Sequence, residues 1–416
     1  NNNGELENDR EFFERKLDKI KEISEDEKTL IVIDNFDTDE DENLETILNA
    51  KYDLIITSYD LLKRDIDLYE TLSFRMELID EAQFIKNQNT QKAQSVKEIE
   101  ADAKFALTGT PIENRLSELW SIFDYLMSGY LFTYQMFKAN LEQPIVKEND
   151  EAAVAKLKKL ISPFILRRLK KDVLTSLPDK IEEVIYSQME GEQKKLYDAS
   201  VAELLDNLSS SSDDDVKKNK IQILARLTRL RQLCCDPALV YENYTGGSGK
   251  LDTCMELINQ AIDGGHKILL FSQFTTMLDE IALKLQEANI SYYILTGETP
   301  LHKRAEMVEL FNSDETKVFL ISLKAGGTGL NLTAANHVIH FDRWWNPAVE
   351  NQATDRAHRI GQTKKVTVFK LILKDTIEER IMALQNAKKD LAEAILEGKG
   401  ESLMSLSADE LLSLLE

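Results

Sequence analysis

Three cysteines in 416 residues, Cys234, Cys235 and Cys254, are too few for a disulfide framework and contain no CxxC pair for zinc. Two of them are adjacent, and a buried thiol is the expected state of each. The five histidines add no metal site: His337 and His340 lie in the strand-like HVIHF, where residues three apart point to opposite faces. No apolar run approaches the roughly 20 residues that cross a bilayer. The polar start NNNGELENDR has none of the features of a secretory signal, so a cytoplasmic chain without a membrane anchor is expected. Basic residues are also short, 51 Lys and Arg against 73 Asp and Glu, a net charge of -22 that at first sight argues against a nucleic-acid partner.

The distribution of charge changes that view. Residues 1 to 50 hold 17 Asp and Glu against 6 Lys and Arg, a balance of -11 and half of the total. By contrast KLKKLISPFILRRLKK, residues 156 to 171, carries seven basic side chains and no acidic one, and KKNKIQILARLTRLR follows at 217 to 231. Each basic stretch suits either a solvated helix face or phosphate contact.

After a charged, helix-favouring segment at 1 to 29, short β-branched runs alternate with helical stretches. LIVID (30 to 34), YDLIITS (52 to 58), MELID (76 to 80) and KFALTGT (104 to 110) read as buried strands of a first lobe, 30 to 111. Alternation of this kind predicts a parallel sheet covered by helices, an α/β architecture. From 112 to 245 helical spacing dominates, apart from IEEVIYSQM at 181 to 189, and SSSSDDDVKK at 209 to 218 is a polar break. The strand pattern returns in a second lobe, 246 to 390, with KILLFSQ, SYYILTG, KVFLISL, HVIHFD and VTVFKLIL, five strands for a second parallel sheet. A helical tail, 391 to 416, closes the chain. Two similar lobes predict a ligand crevice between them.

Chemistry gathers at a few places. LIDEAQFIKN sets Asp80 and Glu81 at the carboxyl end of a strand, where open α/β sheets bind ligands. In a nucleotide-hydrolysing engine the first carboxylate holds Mg²⁺ through water and the second orients the attacking water; an exposed acidic pair is the plain alternative. In KFALTGTPIEN, Thr108 and Thr110 can hydrogen-bond to the acidic pair and to a neighbouring lobe, or simply make a turn. In FDRWWNPAVENQATDRAHRIGQ, Asn346 is a good N-cap, Pro347 a good first helical residue and Gly361 a good stop, which predicts a helix over 347 to 360. On that helix Gln352, Arg356 and Arg359 would share one face and suit a phosphate chain, unless the arginines pair with Glu350 or Asp355. SLKAGGTGLNL places Gly327 and Gly329 after a strand, where backbone N–H groups can approach phosphate oxygens. Of the adjacent Trp344 and Trp345, one could lie in the core while the other reaches outward to stack on or wedge beside a base or sugar; core packing of both is the more usual fate of tryptophan.

Together with TSYDLL, FALTGTPIENRLSELWSIFDYL, ISPFILRRLKKDVLTSLPDK, LRQLCCDP, LLFSQFTTMLD, YYILTGETP and VFKLILKDTIEERI, in this order, these motifs resemble the Snf-type (switch/sucrose-nonfermenting) helicase-like DNA translocase ATPases of superfamily two. The DEAQ form of the acidic box and the final ADELLSLL are most similar to the bacterial branch. The resemblance runs from about Leu30 to the C-terminus. It implies two RecA-like lobes with helical protrusions between them, closing on ATP and Mg²⁺, and movement along double-stranded DNA without strand separation. It implies that Asp80 and Glu81 handle magnesium and water, that Arg356 and Arg359 act as arginine fingers, and that Gln83, Gly327, Gly329 and Gln352 line the nucleotide. It further implies that Thr57, Ser322, Lys324 and Trp344 track a DNA strand and that Arg167 and Arg168 lie in the segment linking the lobes, also against DNA.

One family element is missing from these 416 residues: the phosphate loop GxxxxGK[ST] expected upstream of DEAQ. GGSGKL at 246 to 251 has Leu after Lys250 and Tyr244 at the first glycine position, and it opens the second lobe, so it is rejected. A first lobe without its ATP-binding half is expected. Two functions follow: the motor region of a DNA-stimulated ATPase, a monomer acting on duplex DNA with a possible protein partner and no zinc; or an ATPase-inactive module that binds DNA or a protein. An RNA helicase is disfavoured by DEAQ in place of DEAD and by the helical insertion.

Overall fold

The computed structural model describes residues 30–34, 54–109, 112, 115–148, 150–168, 170–174, 176–189, 191–209, 220–323, 325 and 330–383. The expected segments 1–29 and 391–416 lie outside them. The chain divides into two compact units, Asn1–Glu142 and Gln143–Glu416.

In the first unit the β-branched runs form β1 (Leu30–Asp34), β2 (Leu54–Ser58), β3 (Ser73–Ile79) and β4 (Glu100–Ala106). All pair in parallel in the order β2-β1-β3-β4. Parallel neighbours need crossovers, and among the described residues helices follow β2 and β3. Ser58 caps α1 (Tyr59–Arg64) by accepting from Leu61 N, and Thr90 caps α2 (Gln91–Glu98) by accepting from Ala93 N. One face of the sheet buries Ile31, Ile33 and Ile79 against Leu62, Val96 and, from α3 (Leu116–Leu126), Ile122 and Tyr125. Phe74 and Ile79 of β3 belong to this cluster, which anchors the end of the strand.

In the second unit Asp150 caps α4 (Glu151–Ile161) through the backbone N–H groups of Ala152 and Ala153. The strand β5 (Lys180–Ser187) follows, and then α5 (Gly191–Ser209) packs against α6 (Lys220–Cys235) through Tyr197, Leu204, Leu227 and Leu230. α7 (Gly249–Asp263) precedes β6 (Ile268–Ser272), α8 (Thr275–Glu287), β7 (Tyr292–Leu295), α9 (Leu301–Ser313), β8 (Val318–Ser322), β9 (His337–His340), α10 (Pro347–Thr354) and β10 (Val366–Leu373). The six strands are parallel in the order β5-β10-β9-β6-β8-β7. β6 and β8 are buried at every position, as continuous apolar runs covered on both faces should be.

Both sheets are parallel as expected, with one shift and one difference of membership: β4 runs Glu100–Ala106 and not 104 to 110, so LTG follows the strand. The helical stretch 112 to 245 serves both units: α3 packs on the first sheet, while β5 adds a sixth strand to the second by pairing in register with β10, Lys180 to Val366 through Ser187 to Leu373. No helix among the described residues is long and apolar enough to cross a membrane.

Candidate functional site

The acidic pair sits where β3 ends. Asp80 N donates to Ile33 O of β1 at 2.8 Å, and the Tyr59 hydroxyl donates to Asp80 O at 2.6 Å, so the backbone at the tip is tied on both sides. Asp80 Oδ1 accepts from Glu81 N at 2.8 Å, which folds the chain back on itself. Glu81 takes φ 48° and ψ 51°, the left-handed region, at a cost of about 1–3 kcal/mol for a residue with a side chain. Ala82 N then donates to Leu107 O at 2.9 Å, while Leu107 N donates to Ile79 O at 2.8 Å, so the tip of β3 is stitched to the segment leaving β4.

Side chains continue that stitching. Gln83 Nε2 donates to Glu81 Oε2, and Thr108 Oγ1 donates to Gln83 Oε1 at 3.0 Å. Glu81, Gln83 and Thr108 therefore form one hydrogen-bonded chain, in which the orientation of the Gln83 amide is dictated by a carboxylate that can only accept and a hydroxyl that can donate. The link expected between the threonine and the acidic pair exists, with Gln83 as its intermediate. Asp80, Glu81, Gln83 and Thr108 are all half-exposed, accessible to a polar ligand. Two carboxylates at such a tip fit Mg²⁺, which takes one or two protein carboxylates and fills its remaining positions with water and phosphate. Among the described residues no group of three or more His, Cys, Asp or Glu is placed to hold a metal ion alone.

Two of the expected second-lobe positions share α10 and its exit with a third. Asn346 Oδ1 caps α10 by accepting from Ala348 N at 2.9 Å, with Pro347 at the first position as expected. The helix ends at Thr354, not at 360. Beyond it the backbone turns on i→i−3 bonds, Arg356 N to Ala353 O at 3.2 Å and Ala357 N to Thr354 O at 3.1 Å, and Arg356 O, which a longer helix would use, accepts from Leu332 N at 3.0 Å; Ala357 O accepts from Gln362 Nε2 at 3.0 Å and His358 O from Lys170 Nζ at 3.3 Å. Gln362 also donates to Thr333 O and Ala335 O, clamping the turn. Gln352, Arg356 and Arg359 consequently do not share one helix face. Gln352 is half-buried on α10; Arg356 is 8% exposed in the turn after it; Arg359 is half-buried and donates to Leu330 O at 3.3 Å. The acidic neighbours have other partners: Glu350 pairs with Arg343 at 2.8 Å and Asp355 with Lys170 at 2.6 Å.

The remaining expected positions divide three ways. Thr57 and Ser322, at the ends of β2 and β8, are buried, Ser322 accepting from Ala325 N at 3.2 Å. Arg167 and Arg168 are exposed beside Leu166, which is 79% exposed. Lys324, Gly327, Gly329 and Thr110 lie outside the described residues. Neither tryptophan faces outward: Trp344 is half-buried against the cluster containing Ala353 and Ala357, and Trp345 against the α5–α6 cluster, with the Arg231 guanidinium 5.3 Å from its ring. Adjacent residues leaving a strand point to opposite sides, and here both sides are occupied by protein.

The rejected GGSGKL stretch is a helix start with a structural lysine. Ser248 caps α7, and Lys250 is fully buried with Nζ at 2.5 and 2.7 Å from the two Glu378 oxygens. Burial alone would depress this ammonium, but the Glu378 carboxylate outweighs it and holds the Lys250 pKa above its ordinary value.

Residues the motifs did not single out complete the picture. Tyr59 anchors the Asp80 carbonyl, and a polar network of Arg231, Asp342, Arg343 and Glu350 underlies Trp344. Charge on α6, after β9 and on α10 was the only available signal for the latter, and it does not say which charges meet.

The SNF2-related domain family matches residues 18–239, and the helicase conserved C-terminal domain family matches 249–361. An uncharacterized ATP-dependent helicase of Mycoplasma genitalium is 41% identical over 372 residues, 88% of this chain and 35% of that protein. The putative ATP-dependent helicase/translocase YwqA of Bacillus subtilis is 40% identical over 367 residues, 86% of this chain and 39% of that protein. Human TATA-binding protein-associated factor 172 is 34% identical over 423 residues, 88% of this chain and 23% of that protein. The Sulfolobus solfataricus SWI2/SNF2 ATPase core in complex with dsDNA is 37% identical, with 92% of this chain and 85% of that one covered and a TM-score of 0.46. This chain spans between a third and two fifths of the two bacterial relatives. Matched over more than half of its length, it belongs to the SNF2-related family of helicase-like ATPases.

Proposed function

We propose that this chain is part of a motor that couples ATP hydrolysis to translocation on double-stranded DNA and remodels DNA or protein–DNA complexes. The observation that carries this reading is the strained tip of β3, where Glu81 is held in a left-handed turn and oriented through Gln83 by Thr108. A carboxylate so fixed is suited to orient and accept a proton from an attacking water, and Asp80 beside it is suited to hold the magnesium of a magnesium nucleotide. That ion supplies charge neutralisation on the phosphates when bound. Arg356 and Arg359 supply cationic donors for the phosphoryl group, and Gln352 a polar contact to the nucleotide. Exposed Arg167 and Arg168, with Lys324, are the cations this reading assigns to the DNA backbone, while buried Thr57 and Ser322 and half-buried Trp344 are assigned to the same set as supports and not as exposed contacts. Relatives named TATA-binding protein-associated factors support a protein partner.

The test is ATP turnover by the full gene product with and without duplex DNA. Glu81→Gln is expected to abolish turnover while DNA binding persists and weakens with salt. Unchanged turnover would remove Glu81 from the role assigned to it, and absence of turnover in the parent protein would favour a binding module.

A further inference from the structure

Beneath Trp344 lies a set of buried charges that none of the nucleotide or DNA contacts above requires. Asp342, 1% exposed, accepts from the Ser272 hydroxyl and from Gln273 N at the end of β6. Arg231 of α6, 2% exposed, donates Nη1 to Gln273 Oε1 at 3.1 Å and Nη2 to Arg343 O, with Nη2 3.9 Å from Asp342 Oδ2. Its guanidinium also lies 5.3 Å from the Trp345 ring and 5.8 Å from Phe274. Arg343 Nη1 pairs with Glu350 Oε2 at 2.8 Å, and Glu350 Oε1 accepts from Trp344 N at 2.8 Å. Glu350 is 2% exposed and belongs to the first turn of α10, the helix that carries Gln352 and leads into Arg356 and Arg359.

Buried ions of this kind contribute little net stability, because desolvation offsets their attraction. Their geometric effect is larger: each charge has few positions in which all its partners are satisfied, so moving one moves the rest. Arg231 sits within the SNF2-related match, at 18–239, while Asp342 and Glu350 sit within the helicase C-terminal match, at 249–361. The network therefore binds helix α6 of one matched region to the loop and helix of the other.

We infer that Arg231 and Glu350 are positioning residues that lock the Asp342–Trp345 loop between α6 and α10, so that a displacement of the helical insertion is transmitted to Trp344 and to the arginine-bearing turn. The inference rests on the motor reading for its consequence, coupling of DNA engagement to hydrolysis, but not for the geometry itself. Arg231→Lys keeps the charge and loses the fork that reaches Gln273, the Arg343 carbonyl and Asp342 together. Glu350→Gln keeps an acceptor for Trp344 N and loses the charge that holds Arg343.

Two measurements on the full gene product decide it. With 5-fluorotryptophan incorporated and resonances assigned by Trp→Phe replacement, both variants are expected to shift the ¹⁹F signals of Trp344 and Trp345 and leave Trp120, in the other unit, unchanged. An unmoved Trp344 signal in Arg231→Lys overturns the inference whatever the enzyme does. In ATPase assays, both variants are expected to lose about tenfold of DNA-stimulated turnover, with DNA-free turnover and the KM for ATP within about twofold of the parent. Parallel loss of DNA-free and DNA-stimulated turnover, or no loss in a variant whose Trp344 signal has moved, overturns it. A parent with no DNA stimulation would instead defeat the motor reading, and the fluorine signals would still judge the network. Should Arg231→Lys fail to fold, the near-isosteric Glu350→Gln carries both measurements.

Discussion

The two sheets of this chain share a parallel, helix-covered layout and differ in how they hold polar groups. At the tip of the first, Asp80, Glu81, Gln83 and Thr108 are half-exposed and held by neutral and charge-assisted hydrogen bonds around a strained turn. Beside the second, Lys250, Glu378, Asp342, Arg343 and Glu350 are almost fully buried ions. A group that must meet water and a ligand cannot also be sealed in the core, whereas a group that only fixes geometry can be. The first arrangement suits chemistry and the second suits positioning.

The largest expected effect breaks this contrast at its chemical end. Glu81→Gln should reduce ATP turnover of the full gene product about a thousandfold or more, measured by phosphate release, while leaving the melting temperature unchanged. The reverse pattern is expected on the buried side. Glu378→Ala strands the Lys250 ammonium in a fully buried site and should destabilise the protein by about 3–5 kcal/mol in denaturant unfolding. The double replacement Lys250→Met with Glu378→Leu should recover most of that loss. If the single and double variants were equally unstable, the pair would be more than a positioning device.

A pH series sharpens the same contrast, because the buried titratable groups of the two sheets have opposite signs. Glu77 of β3 is buried beside Lys104 at 3.0 Å, and desolvation raises its carboxyl from 4.5 to about 7 despite the lysine. Its folded form therefore binds the proton more tightly than the unfolded form, and its contribution to stability is present below 4.5 and lost as pH rises through 7. His340 of β9 is fully buried, stacked on Phe271 and bonded to Thr354 at 2.9 Å, and desolvation lowers it from 6.5 to about 3. Its contribution is present above 6.5 and lost as pH falls toward 3. Compared with the parent, Glu77→Gln should flatten the fall in hydrogen-exchange protection of β3 between pH 5 and about 7, and His340→Gln should flatten the loss in β9 at acid pH. Unaltered slopes would show that these groups do not titrate with folding. The smallest effect is expected from Thr108→Val, which removes the donor to Gln83 and should lower turnover by about tenfold or less without changing stability.

Much of this architecture was legible because its signals are local. Most expected strand segments appear at their positions, since β-branched runs bounded by turn residues have few other ways to satisfy their backbone; the exception is KFALTGT, expected at 104 to 110, where the strand is Glu100–Ala106 and Leu107 already leaves the sheet. The acidic pair was found at a strand end because strand ends are where a parallel sheet leaves side chains uncovered. What escaped is non-local. IEEVIYSQ reads as a strand, yet its place beside β10 depends on a partner more than 170 residues away. The helix at 347 is correctly started by Asn346 and Pro347, but it stops at Thr354, and the Arg356 carbonyl that a longer helix would use is taken by Leu332 N from another segment. Of the two fates open to Trp344 and Trp345, packing of both against protein is the one observed, because each side of that loop meets a cluster assembled from other segments.

The sequence by itself determined the family, the two parallel sheets and the carboxylate pair, since periodicity, capping and motif order all act over a few residues. Only the tertiary structure decided that Lys250 faces a carboxylate and not a phosphate, that Gln83 links Glu81 to Thr108, and that Arg231 reaches the loop before α10. A side chain's chemistry is written in its residue type. Its partner is chosen by folding, because satisfying a buried charge requires groups that chain distance does not predict.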